Sequence, residues 1–400
     1  MAALLITFLL FSLLGAHNCQ EEKPTICIHG ICFQGAWYST STGEKYAAYQ
    51  GIRYAQAPVG NLRFKPPQPM DYNEEPIGTV DVSQESTVVC SQIKDYYLLI
   101  GQEDCLFLNI YLPEKINNDK KYHYPVMVWI YGGGFTIGDN TYSKYGPQPY
   151  MDKDIILVTV NYRLGPFGFL SLGTDEAQGN NGLLDQNLAL QWVHDYIGTF
   201  RGDPDRVTIF GESAGSLSVA LQVNHHFLFH FHILNKSELT HCILQIVSPM
   251  SRGLFKRAIL QSGVVLAPTW HFIPKTEASG YGTDMATNLN CSSVKDYLEC
   301  LQNKTVEEIY QGDYGSRHRW MPTIDSTFLP ESPLDILQRG EIDHDIEVIV
   351  GSNADDGLLF VNNQTDFDDF RNNFDFNGPA WLFYMHEWEI TEESINNARQ

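Results

Sequence analysis

Two apolar runs rich in β-branched residues stand out near the middle of the chain, Tyr124–Tyr131 (YPVMVWIY) and Asp154–Asn161 (DIILVTVN). Neither alternates polar with apolar positions, so both predict strands buried on both faces, as in a parallel sheet. Arg206–Phe210, Ala258–Gln261 and Ile346–Gly351 predict a third, fourth and fifth strand. Between the second and third runs, Asn187–Phe200 carries apolar residues at helical spacing, and the GDPD of Gly202–Asp205 predicts the stop. Strands separated by helical segments predict the α/β class, a largely parallel sheet flanked by helices. No internal repeat or clean linker breaks the pattern, so residues 24–400 are expected to form one domain.

The N-terminus differs. Leu4–Leu14 is apolar but too short to span a bilayer, and the small residues Gly15 and Ala16 follow it. Residues 1–19 therefore read as a secretory signal, with a short buried helix as the other reading. No later stretch is long and apolar enough for a membrane span. An extracellular destination makes the eight cysteines candidates for disulfides. Cys27/Cys32, Cys90/Cys105 and Cys291/Cys300 are plausible local pairs, and Cys19 and Cys242 remain. Sequons at Asn290, Asn303 and Asn363 fit the same compartment. With 26 basic against 48 acidic residues the net charge is −22. That balance excludes a general nucleic-acid binder and argues against adhesion to anionic membranes.

The chemistry concentrates at Gly211-Glu212-Ser213-Ala214-Gly215, a G-x-S-x-G directly after a predicted strand and before a potential helix. A sharp turn there lifts the Ser213 hydroxyl above the sheet edge, and the next helix aims its N-terminus at the reaction centre. Gly132-Gly133-Gly134 follows the strand ending at Tyr131, leaving backbone N–H groups unobstructed. With the Ala214 N–H they would form an oxyanion hole. Asp356, after the fifth strand, stands where an α/β-hydrolase carries its triad acid; its neighbour Asp355 is the competing choice.

Beyond GESAG the chain carries YQGIRYAQAPVGNLRFKPPQP (Tyr49–Pro69), EDCLFLNIYLP (Glu103–Pro113), WIYGGGF (Trp129–Phe135) and NYRLGPFGFL (Asn161–Leu170). GLLDQNLALQWV (Gly182–Val193), SPMSRGLFKRAILQSG (Ser248–Gly263) and PTIDSTFLP (Pro322–Pro330) follow in order. These segments resemble the type-B carboxylesterases of the cholinesterase/carboxylesterase family. The resemblance implies an α/β-hydrolase fold and a secreted serine esterase acting on small-molecule carboxylic esters without metal or organic cofactor. It makes Ser213 the nucleophile, Gly133, Gly134 and Ala214 the oxyanion donors and Asp356 the acid. It also implies the disulfides Cys90–Cys105 and Cys291–Cys300.

Three departures qualify the expectation. The family's catalytic His lies further past the acid than the 44 residues that follow Asp356 here, and His386, in YMHEWE, does not resemble the family's His motif. The chain is thus expected to stop short of its general base and C-terminal helices. Residues 223–245 interrupt a segment the family runs almost continuously; without them GSLSVALQ rejoins IVSPMSRGLF. The tract reads as a translated intron, since every Val codon begins GT and Gln245 can be CAG, or as a surface loop. Its histidines His225, His226, His230 and His232 invite a zinc reading that no partner chemistry supports. The Cys90–Cys105 loop has no Trp, which weakens a choline-ester reading; Tyr96, Tyr97 and Trp270 are candidates only for pocket lining or packing. The alternatives to an esterase are a catalytically silent cholinesterase-like adhesion ectodomain and an inactive fragment lacking the catalytic His.

Overall fold

The structure, a computed structural model, describes residues 22–95, 98–114, 123–223, 249–263, 272–291, 297–314, 319–325, 327–333 and 346–353. The signal reading of residues 1–19 and all of the 223–245 tract after Val223 lie outside the described residues. In chain order the strands are β1 (Thr25–Ile28), β2 (Ile31–Gln34), β3 (Ala36–Ser39), β4 (Lys45–Arg53), β5 (Gly78–Asp81), β6 (Gln92–Lys94) and β7 (Leu98–Ile100). They continue with β8 (Phe107–Pro113), β9 (Tyr124–Ile130), β10 (Ile156–Val160), β11 (Gly202–Glu212), β12 (Arg257–Gln261) and β13 (Glu347–Gly351).

Eight of these form one sheet in the order β13-β12-β11-β9-β10-β8-β4-β3. The five runs predicted as strands are β9 to β13, and they make its parallel half. β8, β4 and β3 add an antiparallel flank. β10 is buried along its whole length, the environment that a run with no polar alternation demands. The GDPD segment does not simply stop a helix: it opens β11, and the β11–β9 register shifts between Gly202 and Val207.

Helix Asn181–Tyr196 begins six residues before the predicted start, behind Asn180 in the left-handed region at φ 56°. Its first turns are buried although polar, because Asp185, Gln186 and Asn187 each find a partner there. Asp185 takes the Arg163 guanidinium through Nε and a terminal nitrogen, both at 2.7 Å. Gln186 Nε2 donates to Ser218 Oγ at 3.0 Å, and Asn187 Nδ2 donates to Ser251 Oγ at 2.9 Å. Cys27–Cys32, Cys90–Cys105 and Cys291–Cys300 are all bonded. Among the described residues no helix is long and apolar enough to cross a membrane.

Candidate active site

β9, β11, β12 and β13 end at the same edge of the parallel half, where open α/β sheets place their ligands. β11 runs to Glu212, and Ala214 already begins the helix Ala214–Gln222. One residue must reverse the chain. Ser213 does so at φ 55°, ψ −122°, a region that costs a non-glycine residue about 1–3 kcal/mol.

The flanking glycines are there for close approach. A Cβ on Gly215 would lie 2.1 Å from the Ile130 carbonyl oxygen, and one on Gly211 2.5 Å from the Gly215 backbone. β12 closes the other side: the Ser213 N–H donates to the Gln261 carbonyl at 2.9 Å, and Ser216 Oγ donates to the Gly263 carbonyl at 2.5 Å. The Ser262 N–H in turn donates to the Gly351 carbonyl at the end of β13.

The glycine segment after β9 packs directly on this turn. A Cβ on Gly132 would sit 2.5 Å from the Glu212 carbonyl oxygen and 3.1 Å from Ser213 Cβ. Gly133 and Gly134 both have positive φ, 111° and 62°. The Gly133 carbonyl accepts from the N–H groups of Thr136 and Ile137, each at 3.1 Å. Phe135 is fully buried against Phe169, and its carbonyl accepts from the Gly165 N–H at 2.7 Å. Ser213, Gly133 and Gly134 remain half-buried and so reachable, whereas Ala214 is buried.

Behind the glycines, Tyr131 and Tyr162 stack with ring centroids 4.5 Å apart, and each hydroxyl donates to the other's carbonyl, at 3.1 and 2.8 Å. Burial pushes both phenols up, so neither ionises at physiological pH. The chain then leaves the loop through Asp139. Its burial acts to raise the carboxyl, but hydrogen bonds from Lys144 Nζ and from the Thr141 hydroxyl and N–H outweigh this and hold it below the usual range.

A serine on a strained turn at a helix N-terminus, with a glycine segment packed against it, is an arrangement suited to acyl transfer. The sequence pattern of the carboxylesterase family matches residues 23–236 and 240–392. The chain belongs to the carboxylesterase family. The family has the α/β-hydrolase fold, with which the sheet order and the turn at Ser213 agree. Among its relatives, a carboxylic ester hydrolase of Bombus ignitus is 37% identical over 383 residues, 91% of this chain and 63% of that protein. Venom carboxylesterase-6 of Apis mellifera is 36% identical over 86% of this chain and 59% of its own. Acetylcholinesterase 1 of Caenorhabditis elegans is 34% identical over 81% of this chain and 52% of its own. The chain thus spans less than two thirds of the length of these relatives. The family match breaks at 237–239, inside the tract singled out as an insertion.

Several expected site residues fall outside the described residues: Asp355 and Asp356, His386, Trp270, Tyr96 and Tyr97, the histidines of the 223–245 tract, and Asn363. Two of the three described histidines, His29 and His194, have side-chain contacts away from Ser213. His29 meets Tyr196 edge-on, His194 contacts the Asp195 carboxylate at 3.0 Å, and the His123 carbonyl accepts from Arg206. Asn290 and Asn303 are exposed. No group of His, Cys, Asp and Glu among the described residues is arranged to hold a metal ion.

Sequence reasoning missed Gln92. Buried in the disulfide-closed loop, it accepts from the Gly138 N–H at 2.9 Å and donates from Nε2 to the Gly138 carbonyl at 2.8 Å. A lone Gln at the start of the three-residue strand β6 carries no spacing signal.

Proposed function

We propose that the chain hydrolyses small-molecule carboxylic esters through a Ser213 acyl-enzyme, as a secreted protein whose residues 1–19 are its signal and whose catalytic domain comprises residues 24–400. The strained backbone of Ser213 carries the reading, because such strain persists only where the surroundings enforce it, and it concentrates at functional sites. Ser213 Oγ attacks the ester carbonyl while a histidine base, which is not among the described residues, removes its proton. Asp356, which follows β13 in sequence, orients that histidine. The negative oxygen of the tetrahedral intermediate accepts from the N–H groups of Gly133, Gly134 and Ala214, each donor being worth a few kcal/mol. Alcohol leaves, water attacks the acyl-enzyme, and the acid departs. No step needs a metal or an organic cofactor. The three disulfides among the described residues support an oxidising compartment.

A fluorophosphonate probe tests the reading together with p-nitrophenyl acetate turnover. The wild-type chain should be labelled once and Ser213→Ala not at all, with turnover falling to background. Equal labelling of the two proteins, or turnover that survives Ser213→Ala, removes Ser213 as the nucleophile.

A further inference from the structure

We infer that Gln92 is a positioning residue for the oxyanion donors, holding the Gly132–Gly138 loop at the height that aims the Gly133 and Gly134 N–H groups over Ser213. The inference rests on the ester-hydrolase reading of Ser213.

Gly138 closes the loop. A Cβ there would lie 2.4 Å from the Tyr131 ring and 2.7 Å from the Gly132 carbonyl oxygen, so the loop's two ends nearly touch. Between them the chain is a tight unit, because Thr136 and Ile137 both donate to the Gly133 carbonyl. Any displacement of Gly138 therefore passes to Gly133 through a short, hydrogen-bonded turn.

Among the described residues no strand pairs with Gly138, and the Gln92 side chain takes that role. A backbone N–H can only donate, so Gln92 Oε1 must face Gly138 N and Nε2 must face its carbonyl, an antiparallel pairing made by a side chain. The second Nε2 proton goes to the Cys90 carbonyl at 2.9 Å, which ties the amide to the loop closed by Cys90–Cys105. All three polar valences of the amide that face protein are thus used, and a buried amide in this state has one orientation. A shift of about 1 Å in catalytic geometry costs on the order of 100-fold in rate. The clamp is therefore expected to act on kcat far more than on KM.

The test compares wild type, Gln92→Met and Gln92→Glu. Gln92→Met, close in shape and without hydrogen bonds, should lose roughly 10- to 100-fold in kcat with KM near wild type. It should weaken a trifluoromethyl ketone, which forms a tetrahedral oxyanion, by a similar factor. Gln92→Glu should be impaired while ionised and should recover, relative to wild type at each pH, as falling pH protonates it. A neutral carboxyl again offers one acceptor and one donor to Gly138, whereas a merely structural loss would show no such recovery. Hydrogen exchange at Gly133–Gly138 runs in parallel, and Gln92→Met should raise it. Unchanged kcat and unchanged exchange in Gln92→Met would overturn the proposal. So would an equal loss of Gln92→Glu activity at every pH. If the wild-type chain shows no Ser213-dependent turnover, the ester-hydrolase reading fails by itself, and raised or unchanged exchange decides whether Gln92 holds the loop.

Discussion

Ser251 donates its hydroxyl to the side-chain carbonyl of Gln222 at 2.5 Å, joining residues 29 positions apart in the chain. Asn187 Nδ2 bonds both, and Gln222 Nε2 donates to the Leu183 carbonyl at 3.1 Å. Gln222 and Ser251, on the two sides of the tract singled out as an insertion, are therefore fastened to each other and to the helix Asn181–Tyr196. Within the tract Val223 packs in the core, a place that Ile246 takes in sequence when residues 223–245 are removed.

Deletion of residues 223–245 is accordingly expected to leave the fold intact. It reduces the connection between Gln222 and Ser251 from the 28 residues 223–250 to the five residues 246–250. Six virtual bonds of up to about 3.6 Å each bridge such neighbours with slack. Shortening the loop stabilises by at most about 1.5 kcal/mol on closure entropy alone. Thermal unfolding of the deletion variant should be cooperative, at an unchanged or higher Tm. A deletion variant that is soluble only as aggregate would show that the tract is part of the fold.

The strain at Ser213 predicts a trade between stability and function. Ser213→Gly and Ser213→Ala both remove the hydroxyl, but only glycine tolerates φ 55° and ψ −122° without penalty. Relief of about 1–3 kcal/mol of strain, less the roughly 0.5–1 kcal/mol that glycine's extra freedom costs, leaves Ser213→Gly about 1 kcal/mol more stable than Ser213→Ala. Urea unfolding of the two inactive proteins measures the difference. Equal midpoints would mean that the turn is unstrained.

Asp185 and Arg163 form the most deeply buried ion pair among those described, their side chains 0% and 3% exposed. Asp185 also accepts from the Arg163 N–H at 3.0 Å, and the remaining guanidinium edge donates to the Lys65 carbonyl at 2.8 Å. Asp185→Leu leaves a cation in the core and should cost about 3–5 kcal/mol. Replacing both residues by apolar ones of similar volume should cost much less. A double-mutant cycle in urea separates the two cases, and equal losses from the single and double variants would contradict it.

How much of this was legible in the chain depended on whether a residue's partner was near it in sequence. The strands β9 to β13 could be read because each is a contiguous apolar run, although only β10 is buried along its whole length and β13 is largely exposed, and Ser213 because the strand-turn-helix motif is contiguous. The antiparallel flank was harder: Lys45–Arg53 pairs with residues near 110, and nothing local announces that register. The start of helix Asn181–Tyr196 was missed because Asp185, Gln186 and Asn187 look solvated until Arg163, Ser218 and Ser251 are brought to them. Gln92 is the extreme case. Its meaning lies wholly in two hydrogen bonds to a glycine 46 residues away.

Asp139 gives the site an acid limit that can be derived in sign. Its carboxyl accepts from Lys144 Nζ at 2.5 Å, from the Thr141 hydroxyl at 2.6 Å and from the Thr141 N–H at 3.1 Å. Burial opposes ionisation, but these donors together hold the folded-state value below the ordinary one. A carboxyl depressed on folding contributes stability that is fully present above its unfolded value of about 3.9 and is lost as pH falls through the lower folded value. Lys144→Met removes one donor and its charge while burial stays, so the folded value rises and the contribution at neutral pH shrinks. The acid-unfolding midpoint of Lys144→Met should therefore move to higher pH. Asp139→Asn should flatten stability against pH below about pH 4. Because Asp139 directly follows Gly138, low-pH loss of structure should reach the glycine loop early. Hydrogen exchange at Gly133–Gly138 should therefore rise in Lys144→Met before tryptophan fluorescence reports global unfolding. Acid titrations of the three proteins, followed by both signals, check this. Superimposable curves for wild type and Lys144→Met would show that the ion pair contributes nothing to the acid limit.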